Sequence, residues 1–305
     1  MNKNIMVLGG SGFLGTNICN KLIQEYNVFS VDYIKSERLN EKVEQYSCSL
    51  KQTDELTDIL VKKRIKCVIH CVSSLIPKSD RMQFIKDVED IYIGTVNLLE
   101  ICSQNGIKVV FLSSGGTVYN NSIEKHKEND VLKPLSFYGI SKLGLEELIQ
   151  FYHTKYNLKY LILRPSNPYG IGQKTDGRQG LIATLLGKVL RNEVFRIWGD
   201  GSDIRDYIYI DDFTYIINSL LKKNVSNTII NIGSGDGVSI LDVVRTTERI
   251  IGKNIELEYV KNSALPVKSN VLDISYLLSL IDYNPTNLEQ GITLFYNNLK
   301  QNNNG

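Results

Sequence analysis

The chain has 305 residues, 42% hydrophobic and 22% charged, ordinary proportions for a soluble globular protein with one large core or two modest ones. With 35 basic and 33 acidic residues, a formal charge of +2 and no run of like charge, neither nucleic acid nor a membrane surface is an expected partner. No apolar stretch approaches the roughly 18 residues of a membrane span, and the five cysteines, lacking any C-x-x-C clip, read as free thiols in a reducing cytoplasm.

The first element, NIMVLGG (residues 4–10), is a strand-length apolar run that enters a glycine turn. GFLGTNICNKLIQEY (12–26) follows, with Leu14, Ile18 and Leu22 on one helical stripe. Between strand and helix, Gly9, Gly12 and Gly15 form the spacing G-x-x-G-x-x-G, the context of a dinucleotide pyrophosphate site. Gly9 permits the tight turn, Gly12 lets backbone approach the phosphates, and Gly15 lets the helix pack on the strand. Free N–H groups at the helix start, around Phe13 and Leu14, would hold the anion.

The second strand, NVFSVDY (27–33), ends near Asp32, about 20 residues beyond the glycines, where a carboxylate accepts both ribose hydroxyls of NAD. That carboxylate would repel the 2′-phosphate of NADP, although Lys35 and Arg38 nearby keep NADP open as an alternative. DELTDILVKKR (54–64) and EDIYIGTVNLLEICSQNG (89–106) then read as helices, alternating with apolar strands KCVIHCVSS (66–74) and IKVVFLSSGG (107–116). This alternation predicts a Rossmann-type, doubly wound α/β fold with a parallel sheet covered on both faces. With His70, His126 and His153 scattered along the chain, no histidine metal cluster is visible.

SFYGISKLGLEELIQFY (136–152) is an amphipathic helix that places Tyr138 and Lys142 four residues apart on one face. An ammonium there favours phenolate over phenol and is expected to lower a pKa that starts near ~10. Another strand, KYLILRPSNPYG (159–170), follows. Beyond about residue 168 the pattern loosens into glycine-rich turns at WGDGSD and NIGSGDGVS, short helices and few long strands. The expected division is a cofactor-binding domain over 1–167 and a smaller α/β lobe over 168–305, with some later segments returning to the first.

Taken in order, the glycine turn, Asp32, LSSGGTVY (112–119) and YGISK (138–142) make the chain resemble an extended short-chain dehydrogenase/reductase. Within that class it is similar to the NAD-dependent nucleotide-sugar epimerases and dehydratases, most of all the UDP-glucose 4-epimerase type. LRPSNPYG (163–170) and WGDGSDIRDYIYIDD (198–212) extend the resemblance over nearly the whole chain. It implies that Tyr138 is the general base and that Lys142 holds the nicotinamide ribose. Asn167 and Arg205 would grip the nucleotide diphosphate, and Arg164 would anchor the junction of the lobes.

Several positions depart from the family pattern. Gly115 stands where a Ser or Thr usually bridges the tyrosine and the reacting oxygen; Thr117, which matches a threonine facing the sugar, is the substitute, with Ser114 behind it. The aspartate that usually binds adenine is replaced by Ser49 and Leu50, so that contact would rest on the Ser49 hydroxyl or the Leu50 backbone. Ile91 replaces an expected asparagine, Gly180 another, and the diphosphate-binding arginine of the C-terminal region has only Lys261 and Lys268 as nearest basic residues.

The implied activity is inversion of C4 of a UDP-linked hexose through a transient 4-keto intermediate. The alternative, motivated by Gly115, is an NAD(P)H-dependent 4-ketoreductase of a nucleotide-linked 4-keto-6-deoxyhexose. The resemblance also implies a homodimer built on helices 89–104 and 138–156, with Leu148, Phe151 and Tyr152 as candidate apolar contacts.

Overall fold

The computed structural model describes residues 3–120, 122, 124–177, 179–261 and 267–303. Two compact units interleave along the chain: the first takes 1–119, 131–164 and 217–230, the second 120–130, 165–216 and 231–305.

The first unit opens with β1 (Asn4–Leu8), α1 (Phe13–Leu22), β2 (Asn27–Asp32), β3 (Glu44–Ser47), α2 (Thr53–Lys62) and β4 (Cys67–His70). It continues through α3 (Arg81–Asp87), a π-helical turn (Val88–Tyr92), α4 (Ile93–Gln104), β5 (Lys108–Leu112), α5 (Phe137–Tyr156) and β6 (Tyr160–Pro165). From β3 through β2, β1, β4 and β5 to β6 the neighbouring strands are parallel. The sheet is a seven-stranded Rossmann-type sheet, as expected, with a later strand added beside β6. Strands β4 and β5 are buried at every position, which is why they read as unbroken apolar runs. Strand order reverses between β1 and β4, and crevices at the carboxyl ends of strands beside such a reversal are where doubly wound sheets bind ligands.

After β6 come β7 (Asn167–Tyr169), α6 (Leu181–Arg191), β8 (Phe195–Trp198), β9 (Ile204–Tyr209), α7 (Ile210–Lys222) and β10 (Thr228–Ile232), the strand that joins the first sheet. The remainder is β11 (Gly237–Ser239), α8 (Ile240–Ile251), β12 (Leu257–Val260), β13 (Ser269–Asn270), α9 (Ser275–Leu280) and α10 (Leu288–Asn303). In the second unit β9 is the hub, pairing β7, β11 and β13, while α6, α8 and α10 pack together. These helices are longer than the short ones expected from the loosened pattern. In α6, Ile182, Leu185, Leu186 and Val189 form a buried stripe at three- and four-residue steps.

Helix α5 is set by its ends and its buried face. Ser136 caps it by accepting a hydrogen bond from the Gly139 N–H at 3.1 Å, and Asn157 ends it in the left-handed region at φ 57°. Leu145, Ile149 and Tyr152 are buried on one stripe, and Lys142 and Glu146 lie on the same stripe. The Glu146 carboxylate accepts from Arg164 Nε at 3.1 and 3.2 Å and from Arg164 Nη2 at 2.6 Å, and also from the Ser113 hydroxyl. Arg164 donates further to the Tyr119 hydroxyl at 2.8 Å. Burial opposes the guanidinium charge, but the Glu146 bonds and charge outweigh it and raise the Arg164 pKa.

With both partners almost fully buried, removing one leaves an uncompensated charge. Glu146→Ala is expected to lower stability by about 3–5 kcal/mol, measured as the midpoint shift in urea unfolding; a loss under about 1 kcal/mol, the range of an exposed pair, would contradict this packing.

Candidate functional site

The glycine turn adopts the geometry its spacing requires. Gly9 has φ +77°, and a Cβ on Gly15 would lie 2.1 Å from the Gly9 carbonyl oxygen, so helix and turn touch backbone to backbone. Gly12 begins α1 in extended conformation with no side chain capping the helix and no acid in its first turn. The N–H groups that follow, including those of Phe13 and Leu14, point the positive end of a ten-residue helix out of the turn, suited to a pyrophosphate.

Asp32 ends β2 beside this turn and accepts from the Ser11 N–H at 3.0 Å and the Tyr33 N–H at 2.7 Å. These bonds orient the carboxylate and use part of its acceptor capacity, leaving lone pairs for ribose hydroxyls. Arg38 Nη2 donates to the Ser11 carbonyl at 3.1 Å, which places a guanidinium at the same turn. Of the two adenine candidates, Leu50 is buried against Gly94, and the Ser49 N–H is taken by Gln52 Oε1 at 2.9 Å.

At the end of β5 the chain turns through Ser113, Ser114, Gly115 and Thr117 toward α5. The Ser114 hydroxyl hydrogen-bonds the Tyr138 phenol, and Lys142 Nζ donates to the Leu112 carbonyl at 2.9 Å. The ammonium lies 5.8 Å from the Tyr138 ring centroid and 4.9 Å from that of Phe111. Tyr138 and Lys142 are thus one cluster, with Lys142 on the buried stripe of α5 and half-buried Tyr138 one turn before it. Thr117 contributes a hydroxyl that is buried without a hydrogen-bond partner. An orphaned donor near a site is unusual in a folded protein and fits a group that completes its bonds with a bound molecule.

The electrostatics of the pair run opposite to the sequence expectation. Tyr138 keeps some exposed surface, yet loss of water around the phenol pushes its pKa up to about 12, the Ser114 bond opposing and Asp87 adding to the rise. The Lys142 charge is not what dominates; its own pKa is lowered to about 8 by burial, against the pull of Asp87, Cys71 and Glu146. His70, fully buried, bonds Thr95 Oγ1 at 3.0 Å through Nε2, and burial pushes it down to about 3, so it packs as a neutral ring.

Two groups in this region carry no motif. Asp87, 2% exposed at the end of α3, accepts from the Ser74 hydroxyl at 2.6 Å and the Ser141 hydroxyl at 2.8 Å. Its one sequence signal is an acid standing three residues after Phe84 and four before Ile91, on an otherwise apolar helical face. Ile91, where an asparagine was expected, is core, and its carbonyl accepts from Thr95 Oγ1 at 2.7 Å.

In the second unit Asn167 and Arg205 lie on neighbouring strands β7 and β9. Asn167 Nδ2 donates to the Asp206 carbonyl at 2.7 Å, and Arg205 Nη1 to the Ile204 carbonyl at 2.8 Å, with Asp203 3.8 Å from Nη2. Lys268 pairs with the same Asp203 at 3.4 Å. Asp206, fully buried, fastens this region by accepting from the N–H groups of Ser234, Gly235 and Leu272. Among the described residues no cluster of three or more His, Cys, Asp or Glu side chains is arranged for a metal, and no helix is long and apolar enough to cross a membrane.

Residues 5–233 match the NAD dependent epimerase/dehydratase family. The chain is 30% identical to UDP-glucose 4-epimerase of Thermotoga maritima, whose structure with UDP-glucose covers 98% of this chain and 99% of that one at a TM-score of 0.92. It is 29% identical to UDP-glucuronic acid 4-epimerase of Bacillus cereus, solved with UDP-glucuronic acid and NAD, over 98% of this chain and 99% of that one, TM-score 0.88. It is also 30% identical to dTDP-4-dehydro-6-deoxyglucose reductase of Escherichia coli over 93% of each chain.

Because the Thr117 hydroxyl is buried and unpaired, Thr117→Val, which removes it at constant shape, is expected to raise stability by about 1 kcal/mol in chemical denaturation. A loss of about that size would instead mean that the hydroxyl is bonded within the protein.

Proposed function

The chain belongs to the NAD-dependent epimerase/dehydratase family, and from that premise we propose that it inverts C4 of a nucleotide-linked hexose, UDP-linked in the first instance. The observation that carries this reading is the cluster of half-buried Tyr138 with buried Lys142 and Ser114, and the unpartnered Thr117 hydroxyl in the same segment as Ser114. When bound, NAD would supply the hydride acceptor and donor, and its positive charge would favour ionisation of Tyr138.

The chain's own residues bind, orient and move a proton. The uncapped start of α1 would hold the pyrophosphate and Asp32 the adenosine ribose, with Ser49 or Leu50 toward the adenine. Lys142, its ammonium fixed by the Leu112 carbonyl, would donate to the nicotinamide ribose. Ionised in the loaded site, the Tyr138 phenolate would take the proton of the C4 hydroxyl as hydride leaves C4 for the cofactor, and the phenol would return a proton to the 4-keto oxygen as hydride comes back to the other face. Thr117 donates a hydrogen bond to that oxygen in place of the hydroxyl that Gly115 lacks, and Ser114 holds the phenol in line. Asn167 and Arg205 grip the diphosphate, a guanidinium fork matching phosphate oxygens. On this reading the first unit is the cofactor-binding domain and the second the sugar-nucleotide lobe.

A second reading, reduction of a nucleotide-linked 4-keto-6-deoxyhexose by NADH or NADPH, is favoured by the likeness to the Escherichia coli reductase and by Gly115. Arg38 beside the glycine turn is the residue that would meet a 2′-phosphate. The partner we assign is a second copy of the chain, docked on α4 and α5. Ile93, Ile140, Phe151 and Tyr156 expose apolar surface there, whereas Tyr152 is buried in the protomer's own core and does not serve. The free thiols suit the cytoplasm.

Purified protein incubated with UDP-glucose or UDP-N-acetylglucosamine is expected to form the galacto epimer with no added reductant. Formation of product only with a 4-keto sugar and NAD(P)H would select the reductase, and no turnover of UDP-, dTDP-, GDP- or CDP-hexoses would refute the epimerase. Tyr138→Phe is expected to cut turnover by about 10²–10⁴-fold while cofactor still copurifies. Lys142 works as the ammonium and its pKa is lowered to about 8, so kcat should fall as pH rises through about 8; a rate that holds level to pH 10 would contradict this.

A further inference from the structure

We propose that Asp87 is a positioning residue for the reaction: through Ser141 it fixes the turn of α5 between Tyr138 and Lys142, and it is the buried counter-charge to the Lys142 ammonium. This rests on the functional reading above, because it assigns Asp87 a task only if Tyr138 and Lys142 carry the chemistry. The geometry points there from three sides. Ser141 sits inside the Tyr138–Lys142 turn and spends its hydroxyl on Asp87 at 2.8 Å, while Ser74, beyond β4, spends its own at 2.6 Å. Phe84, one turn earlier on α3, stacks on Phe137 at the start of α5 with ring centroids 5.0 Å apart, so the two helices are fastened at the same level. Immediately after Asp87 the helix widens into the π-helical turn Val88–Tyr92, a local rearrangement that concentrates at functional sites.

A carboxylate that is 2% exposed has exchanged water for two hydroxyl donors, which is thin compensation for a full charge. A buried anion of this kind persists when a cation is close enough to share its field. Tyr138 and Lys142 of α5 both feel the Asp87 charge, while Glu146 of α5, His70 at the end of β4 and Cys71 just after it surround Lys142. His70 is neutral, and burial pushes the Cys71 thiol up to about 12, so it is neutral as well. Glu146 is committed to Arg164. That leaves Lys142 as the cation facing Asp87, and Asp87 acts to keep Lys142 protonated and Tyr138 in the phenol form.

The direction of the test follows. Replacing the carboxylate with a neutral amide makes the ammonium easier to deprotonate and the phenol easier to ionise, so both titrations move to lower pH. In Asp87→Asn the Lys142 midpoint, followed by NMR of ε-13C-lysine-labelled protein as purified, should fall by about one unit from the native value. Both limbs of the kcat profile should move acidward with it, and Asp87→Glu, which keeps the charge, should restore the midpoint. Asp87→Ser, smaller and also neutral, carries the same expectation if the amide does not fold. A folded neutral variant whose Lys142 midpoint stays at the native value overturns the assignment, even if its stability or rate is reduced. The NMR titration needs no sugar, so a shifted midpoint in protein that turns over no nucleotide sugar would count against the epimerase reading and leave Asp87 as the counter-charge.

Discussion

Holding a half-buried phenol beside a buried ammonium, on the face of a helix that should be apolar, is the constraint on which the rest of this structure depends. Lys142 occupies the stripe that Leu145 and Ile149 continue into the core, and Tyr138 stands one turn before it. Water is the natural solvent for both groups, and its removal moves their pKa values together, the phenol up to about 12 and the ammonium down to about 8. Each shift disfavours a charge. The protein answers this locally, with the Leu112 carbonyl for the ammonium and the Ser114 hydroxyl for the phenol, while the Asp87 carboxylate favours the ammonium and adds to the rise of the phenol.

The placement follows from topology. The carboxyl ends of β1, β4 and β5 flank the reversal in strand order, and they deliver the glycine turn, His70 and the Ser113–Thr117 segment to one edge of the sheet. Helix α5 packs across that edge, held at its middle by the buried pair of Glu146 and Arg164. A network of this depth does little for net stability compared with a hydrophobic core, but it allows one arrangement of α5 and so one position for Tyr138. The second unit has a corresponding anchor in Asp206, whose carboxylate gathers three backbone donors beneath the strand that carries Arg205.

Much of this was legible in the sequence, and the exceptions have physical causes. The parallel strands showed themselves because both faces are buried, and the glycine turn because Gly9 and Gly15 stand where no side chain fits. Strand β3 did not, since EQYS is four half-exposed residues with no apolar run. The return of β10 to the first sheet is a long-range pairing that no local period announces. In the second unit, glycine-rich turns masked the regular stripes of α6 and α8. Spacing placed Tyr138 and Lys142 on one helical face and the family resemblance singled them out, but spacing reports proximity and not desolvation, so the direction of the phenol's shift was missed. Asp87 was missed because its meaning lies in two serines, one 13 residues and the other 54 residues away in the chain.

The central claim is that the protein alone keeps Tyr138 a neutral, desolvated phenol, ready to be ionised only in the working complex. It is tested most directly by 13C NMR of ζ-13C-tyrosine in protein freed of cofactor, with Tyr138→Phe identifying the resonance. The account predicts that this phenol stays protonated past pH 10, in keeping with a pKa pushed up to about 12. An ionisation centred between about pH 6 and 8 would show that Lys142 already holds a phenolate, the opposite balance of burial and charge.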